Sequence, residues 1–179
     1  MLPDRITHGV VVNGLIPRKY IAEKSVASKW TNVLMSASLV SYPVARMILG
    51  AGERLLRRSD PVSFLQKMYG HSEVDKERLG DADVVASILE GVKGIVNQGL
   101  DAGVHDMVSG FGSWDTDLDA LRVPVTVYHG VDDPNVPCDG VAEFVKDHSA
   151  SMTMVTEQGG GQLCYSHFDQ VLDLLLGTK

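Results

Sequence analysis

Three short β-branched runs constrain this chain most: residues 6–12 (ITHGVVV), 123–129 (VPVTVYH) and 152–156 (MTMVT). Each reads as a strand, since a brief apolar run bounded by Pro, Asp, Asn or Gly favours extended backbone over helix. What lies between them is helical in texture, so the order is strand, helical block, strand, helix, strand, helix. Strands joined through helices imply an α/β fold, with a parallel sheet and flanking helices. Three strands make a poor sheet, and the long block after the first reads as an insertion rather than a crossover. The first run begins almost at Met1, whereas a buried parallel strand needs neighbours on both sides.

Within the block, residues 33–56 and 83–108 carry apolar positions at helical spacing, punctuated by Gly and Pro. Ser59-Asp60-Pro61 reads as an N-cap followed by proline in the first turn, and Asp81 to Asp83 starts the next helix in the same way. Helices are also expected over residues 140–148 and 165–176. The second of these is amphipathic, with Phe168, Val171, Leu172 and Leu175 on one face.

The 179 residues are 44% hydrophobic, a soluble globular composition. No run approaches the roughly 18 apolar residues of a membrane span, and no signal peptide is evident, so no membrane partner is expected. A net charge of −7 excludes non-specific nucleic-acid binding, which needs a basic surface. Cys138 and Cys164 fit no metal spacing and no disulfide scaffold, which makes a reducing cytoplasm the default location. No cofactor is implied.

In parallel α/β folds, functional side chains gather in loops at the carboxyl ends of strands. Two such loops stand out: His129-Gly130-Val131-Asp132-Asp133-Pro134-Asn135-Val136-Pro137, and the stretch EQGGGQLCYSH from Glu157 to His167. They follow adjacent strands and should lie close together. Three consecutive glycines in the second mean a sharp turn or a close approach to the main chain.

Taken together, Trp114, Asp117-Leu118, Val123-Pro124-Val125, His129-Gly130, Asp133, Val136-Pro137, the glycine turn and the closing helix resemble the C-terminal part of an α/β-hydrolase. The opening Leu2-Pro3-Asp4-Arg5-Ile6 is similar to the family's approach to the strand that follows its nucleophile helix. The resemblance covers essentially the whole chain but only the last two-thirds of a typical member. It implies a partial α/β-hydrolase fold: a first core strand and exit loop over residues 1–19, a helical cap insertion over 20–113, and the C-terminal core over 114–179.

In that family a G-x-x-D-x-x-V-P loop carries the triad acid, and a G-x-G-H turn after the last strand carries the triad histidine. Counted from Gly130, the acid position is Asp133, not Asp132. A carboxylate held there would orient and charge-stabilise an imidazole. The same residues also suit simple turn stabilisation. Gly159-Gly160-Gly161-Gln162 places Gln162 at the histidine position. Glutamine can hydrogen-bond Asp133 through its amide, but has no pKa that lets it take and return a proton near neutrality. Losing the base of a serine triad costs on the order of 10⁶ in turnover.

No G-x-S-x-G nucleophile elbow occurs; Gly110-Phe111-Gly112-Ser113-Trp114 lacks the final glycine and precedes its strand. The family's elbow and oxyanion loop would lie ahead of Met1. His167, five residues past Gln162, would be displaced by about 7 Å along a helix and has the look of a surface or packing residue. Cys138 and Cys164 could be near neighbours, with burial the commoner role for such residues. Trp114, Met107 and Phe111 read as core, or as the lining of a pocket beneath the cap.

Three functions therefore stand. The first is a truncated or impaired hydrolase of the ester or epoxide type, inactive alone in triad hydrolysis. The second is a non-catalytic module binding a small apolar molecule. The third is a nucleotide-binding α/β protein using the glycine loop as a phosphate cradle, although Gly159-x-Gly161-x-x-Cys164 lacks the third glycine of that motif. The open apolar edge at residues 6–12 invites pairing, either with a missing N-terminal half or with a second copy in a homodimer.

Overall fold

A computed structural model describes residues 6–21, 36, 39, 41–70, 72–112, 114, 117–163 and 168–176. The chain divides into two compact units, Met1–Ser25 together with Trp114–Lys179, and Val26–Ser113.

In the first unit the three strand signals become β1 (Gly9–Val12), β2 (Val125–Gly130) and β3 (Met152–Glu157), each within three residues of its sequence-based bounds. They pair in the order β1-β2-β3, all parallel, with Val12 beside Tyr128 and Tyr128 beside Val155. The central strand is buried from Thr126 to Gly130, as expected for a strand covered on both faces. Alternation then sends the two sets of side chains to opposite helices. On one face Tyr128 and Val171 form a cluster with Val10, Val12, Val155 and Leu174, contributed partly by α7 (Phe168–Leu176). On the other, α6 (Cys138–Asp147) packs along β2 and β3 with Val141, Phe144 and Val145 buried. Each such side chain taken from water contributes roughly 1.5–3 kcal/mol.

The phase of α7 differs from expectation. Val171 and Leu174 face the sheet, while Leu172 is 40% and Leu175 44% exposed. The Tyr128 hydroxyl donates to Gln170 Oε1 at 2.7 Å, a half-buried bond that ties the helix to the central strand next to Val171. Trp114 is an edge-on neighbour of Phe144, with ring centroids 5.7 Å apart, and Tyr20 meets Phe144 from another side at 5.4 Å. Trp114 is half-buried and packs its ring against the buried Phe144 of this unit. The side chains of Met107 and Phe111 lie outside the described residues.

The second unit contains α1 (Tyr42–Arg58), α2 (Pro61–Tyr69), α3 (Glu73–Arg78), α4 (Ala82–Gln98) and α5 (Leu100–Phe111), and no strand among its described residues. Its start signals act as read. Asp60 accepts from the Ser63 N–H at 2.9 Å with Pro61 opening the helix, and Asp81 accepts from the Asp83 N–H at 2.8 Å. Residues 83–108 resolve into two helices, divided at Gly99, whose φ is +95°. Phe64, Leu65, Leu79, Val85 and Val104 are buried. Asp101 on α5 accepts from the Tyr42 hydroxyl at 2.7 Å and from Arg46 Nε at 2.8 Å, joining α5 to α1. Among the described residues no helix is long and apolar enough to cross a membrane.

Candidate functional site

The loops after β2 and β3 lie side by side at the carboxyl end of the sheet, because ladder-like bonds continue past the strands. The Val131 N–H donates to the Glu157 carbonyl at 3.0 Å and the Asp132 N–H to the Gly160 carbonyl at 2.8 Å. The glycines follow from this closeness. A Cβ at Gly130 would stand 2.5 Å from both the Gly160 and Gly161 carbonyl oxygens, so only hydrogen fits there. Gly159 takes φ +71°, and a Cβ on Gly160 would meet the Glu157 side chain at 2.6 Å. The object approaching the triple-glycine main chain is thus the strand end at Gly130.

Asp133 is buried, with 5% of its surface exposed. Its Oδ1 accepts from the Asn135 N–H at 2.8 Å and the Val136 N–H at 3.0 Å, which curls the loop around the carboxylate. Asn135 then reaches across: its Nδ2 donates to Gln162 Oε1 at 2.5 Å. Asp133 and Gln162 are therefore brought to the same end of the sheet, with Asn135 bonded to both.

Two further residues complete the cluster. His129 is fully buried, and its Nε2 lies 2.7 Å from the Val136 carbonyl. A carbonyl only accepts, so Nε2 is the donor of this bond, and Nδ1 has no hydrogen-bond partner among the described residues. Asn13, just past β1, uses its side chain on both loops. Nδ2 donates to the Gly161 carbonyl at 3.1 Å and the Gln162 carbonyl at 2.7 Å, while Oδ1 accepts from the Gly130 N–H at 3.1 Å.

Sequence reasoning passed over Asn13 and Asn135. Asn13-Gly14 reads as a strand stop, but a second signal was present: asparagine is among the few residues that tolerate the left-handed region. Asn13 adopts φ +43°, the lone non-glycine with positive φ among the described residues. Asn135 had no comparable signal, because its role depends on where Gln162 arrives.

Cys138 opens α6 and is half-buried; burial, then the adjacent Asp139 carboxylate, push its thiol above the ordinary range. That is opposite to what a nucleophile needs. Cys164, His167 and Ser113 lie outside the described residues. Among the described residues no group of three or more His, Cys, Asp or Glu is placed to hold a metal ion. The cluster supplies a carboxylate, three side-chain amides (Asn13, Asn135 and Gln162) and the buried His129 imidazole, and no amide can accept and return a proton near neutrality.

No family model matches the sequence, and no curated protein matches it. Among solved structures, a bromoperoxidase from Bacillus anthracis superposes over 97% of this chain and 59% of its own length, with a TM-score of 0.52 and 18% identity. An α/β-hydrolase enzyme from a Medee basin deep-sea metagenome library covers 98% of this chain and 56% of its own, with a TM-score of 0.48 and 15% identity. Together with the parallel sheet and flanking helices, the likeness to the bromoperoxidase shows an α/β-hydrolase-like fold. The chain spans less than two-thirds of the length of either structure.

Proposed function

We propose that this chain supplies the acid-position and base-position loops of a hydrolase-type site, with Asp133 at the acid position and Gln162 at the base position. In this reading it does not carry out triad hydrolysis by itself. The observation that carries it is the link Asp133–Asn135–Gln162 at one sheet end: the Asn135 N–H donates to Asp133 at 2.8 Å and its Nδ2 donates to Gln162 at 2.5 Å. Two features support impairment. No G-x-S-x-G occurs in the 179 residues, and the base position holds an amide. A nucleophile would have to come from a segment this sequence does not contain, such as an N-terminal half with an elbow, and the substrate class would be small esters or epoxides.

The test joins the chain to such an elbow-bearing half, with Gln162 retained or changed to histidine, and follows hydrolysis of an activated ester. Gln162→His is expected to raise turnover by at least about 10³-fold, well inside the 10⁶ that separates a serine triad from its base-less form. Equal rates would overturn the assignment of Gln162.

A second reading, a non-catalytic binder of a small apolar molecule, is favoured by one observation. Asn135 holds the Gln162 amide in a fixed orientation, as a recognition group requires. In that case an apolar ligand raises the melting temperature of the chain alone, and Gln162→Ala abolishes the rise.

A further inference from the structure

We propose that Asn13 is the positioning residue of this site: one amide that sets the Asp133 loop and the Gln162 loop at a fixed separation. The inference rests on the reading of those loops given above. It begins where the ladder between β1 and β2 ends. The Asn13 N–H donates to the Tyr128 carbonyl at 2.9 Å, the last main-chain bond that β1 makes to its neighbour. Beyond it β1 departs, and the Gly130 N–H would lose its partner. Asn13 Oδ1 replaces that partner at 3.1 Å.

The other half of the amide does something a strand cap would not require. β1 and β3 flank β2 on opposite sides, so their axes are about 9–10 Å apart, too far for a short side chain. The gap closes because the glycine loop folds back onto Gly130, where the Gly160 and Gly161 carbonyls crowd the missing Cβ. Asn13 Nδ2 therefore reaches the Gly161 and Gln162 carbonyls, on either side of the Gln162 α-carbon. Both N–H bonds and the carbonyl of one side chain thus fix Gly130, three residues before Asp133, and the main chain that presents Gln162. The left-handed φ of +43° is what aims the side chain over the sheet end.

The test uses the full chain carrying Gln162→His, whose imidazole reports the carboxylate by NMR titration. With Asn13 intact, adding Asp133→Asn is expected to lower the imidazole pKa by about one unit or more, since a carboxylate within reach stabilises the charged ring. With Asn13→Ala the same change is expected to produce less than about half that shift. Amide exchange is followed alongside: Asn13→Ala should speed exchange at Gly130 by at least about tenfold while Tyr128 is unchanged. Asn13→Asp, which keeps the acceptor for Gly130 but loses both donors, should preserve Gly130 protection and still weaken the coupling. This second variant decides the matter if the alanine form does not fold.

Full coupling in a folded Asn13 variant overturns the positioning role. An imidazole indifferent to Asp133 while Asn13 is present counts instead against Gln162 as the base position. The exchange arm then decides the clasp alone: an unchanged Gly130 rate in Asn13→Ala refutes it.

Discussion

Asn135 and Gln162 are joined amide to amide, Nδ2 to Oε1 at 2.5 Å, while the Asn135 main chain donates to Asp133 at 2.8 Å. One residue thus transmits the position of a buried carboxylate to the loop after the next strand. The two contacts differ in strength. A hydrogen bond to a charged acceptor contributes roughly 1.5–3 kcal/mol, and a neutral amide pair about 0.5–1.5. Asp133→Ala removes the acceptor of two loop N–H groups and is expected to cost about 2–4 kcal/mol in urea denaturation, whereas Asp133→Asn keeps an oxygen there and should cost under about 1.5. Asn135→Ala should cost about 1 kcal/mol. If Asp133→Ala proves as mild as Asn135→Ala, the carboxylate does not organise the loop.

The glycines separate two reasons for having no side chain. At Gly130 a Cβ would collide with two main-chain oxygens at 2.5 Å, and main chain cannot step aside as a flexible side chain can. Gly130→Ala is expected to destabilise by about 3 kcal/mol, the upper end for overpacking. In α4, a Cβ at Gly91 would meet nothing within 4 Å. Gly91→Ala should therefore stabilise by about 0.5–1 kcal/mol, the ordinary helical preference for alanine. Thermal melts of the two variants should move in opposite directions; a shared direction would show that contact distance is not what decides them.

The strands, their parallel order and the capped helix starts were legible because each depends on local sequence: β-branched runs, Asp60 before Pro61, Asp81 before the next helix. Asp133 and Gln162 at one sheet end were legible too, since strand order alone places their loops together. The phase of α7 was not. Leu172 and Leu175 are as apolar as Leu174, so apolarity alone does not choose the inward stripe, and the half-buried bond from Tyr128 to Gln170 forms only once the sheet is in place. The roles of Asn13 and Asn135 were illegible for a related reason, although Asn13-Gly14 did signal a left-handed turn. Their partners are main-chain and amide groups more than a hundred and 27 residues away respectively, so no pattern in the neighbouring sequence announces them.

In the helical unit, Asp101 offers a test that depends on pH. The Tyr42 hydroxyl, and after it the Arg46 guanidinium, hold its carboxyl below the usual carboxylate range. A depressed folded pKa contributes stability that is complete above the unfolded pKa, about 3.9 for Asp, and is lost as pH falls through the folded value. The stability gap between the parent and Asp101→Asn should therefore be constant near neutrality and shrink in the acid range below pH ~4. The contact is solvent-exposed, so the gap is expected to be small and to narrow further in high salt. A gap that stays the same from neutral pH down into that range would mean that the clamp is not electrostatic.

The outer edge of β1 leads to a prediction about association. Gly9 and Asn13 direct their N–H groups to β2, so alternation turns the main-chain groups of Val10 and Val12 outward. Among the described residues no strand pairs with that side. Charge is the usual protection for such an edge, and residues 6–17 contain no Lys, Arg, Asp or Glu. They do expose Ile6 at 55%, Val11 at 42% and Leu15 at 40%. An apolar strand with unpaired main chain and no charge favours pairing over solvation. The chain in isolation is therefore expected to associate in a concentration-dependent way, with light scattering reporting dimers or larger species. Val11→Lys places a charge on the edge strand without touching Val10 or Val12, which pack against Tyr128 and Val171. It should shift the population toward monomer while leaving the far-ultraviolet circular dichroism unchanged. A parent chain that remains monomeric at high concentration, or a lysine variant that associates as strongly as the parent, would rule out the β1 edge as the contact.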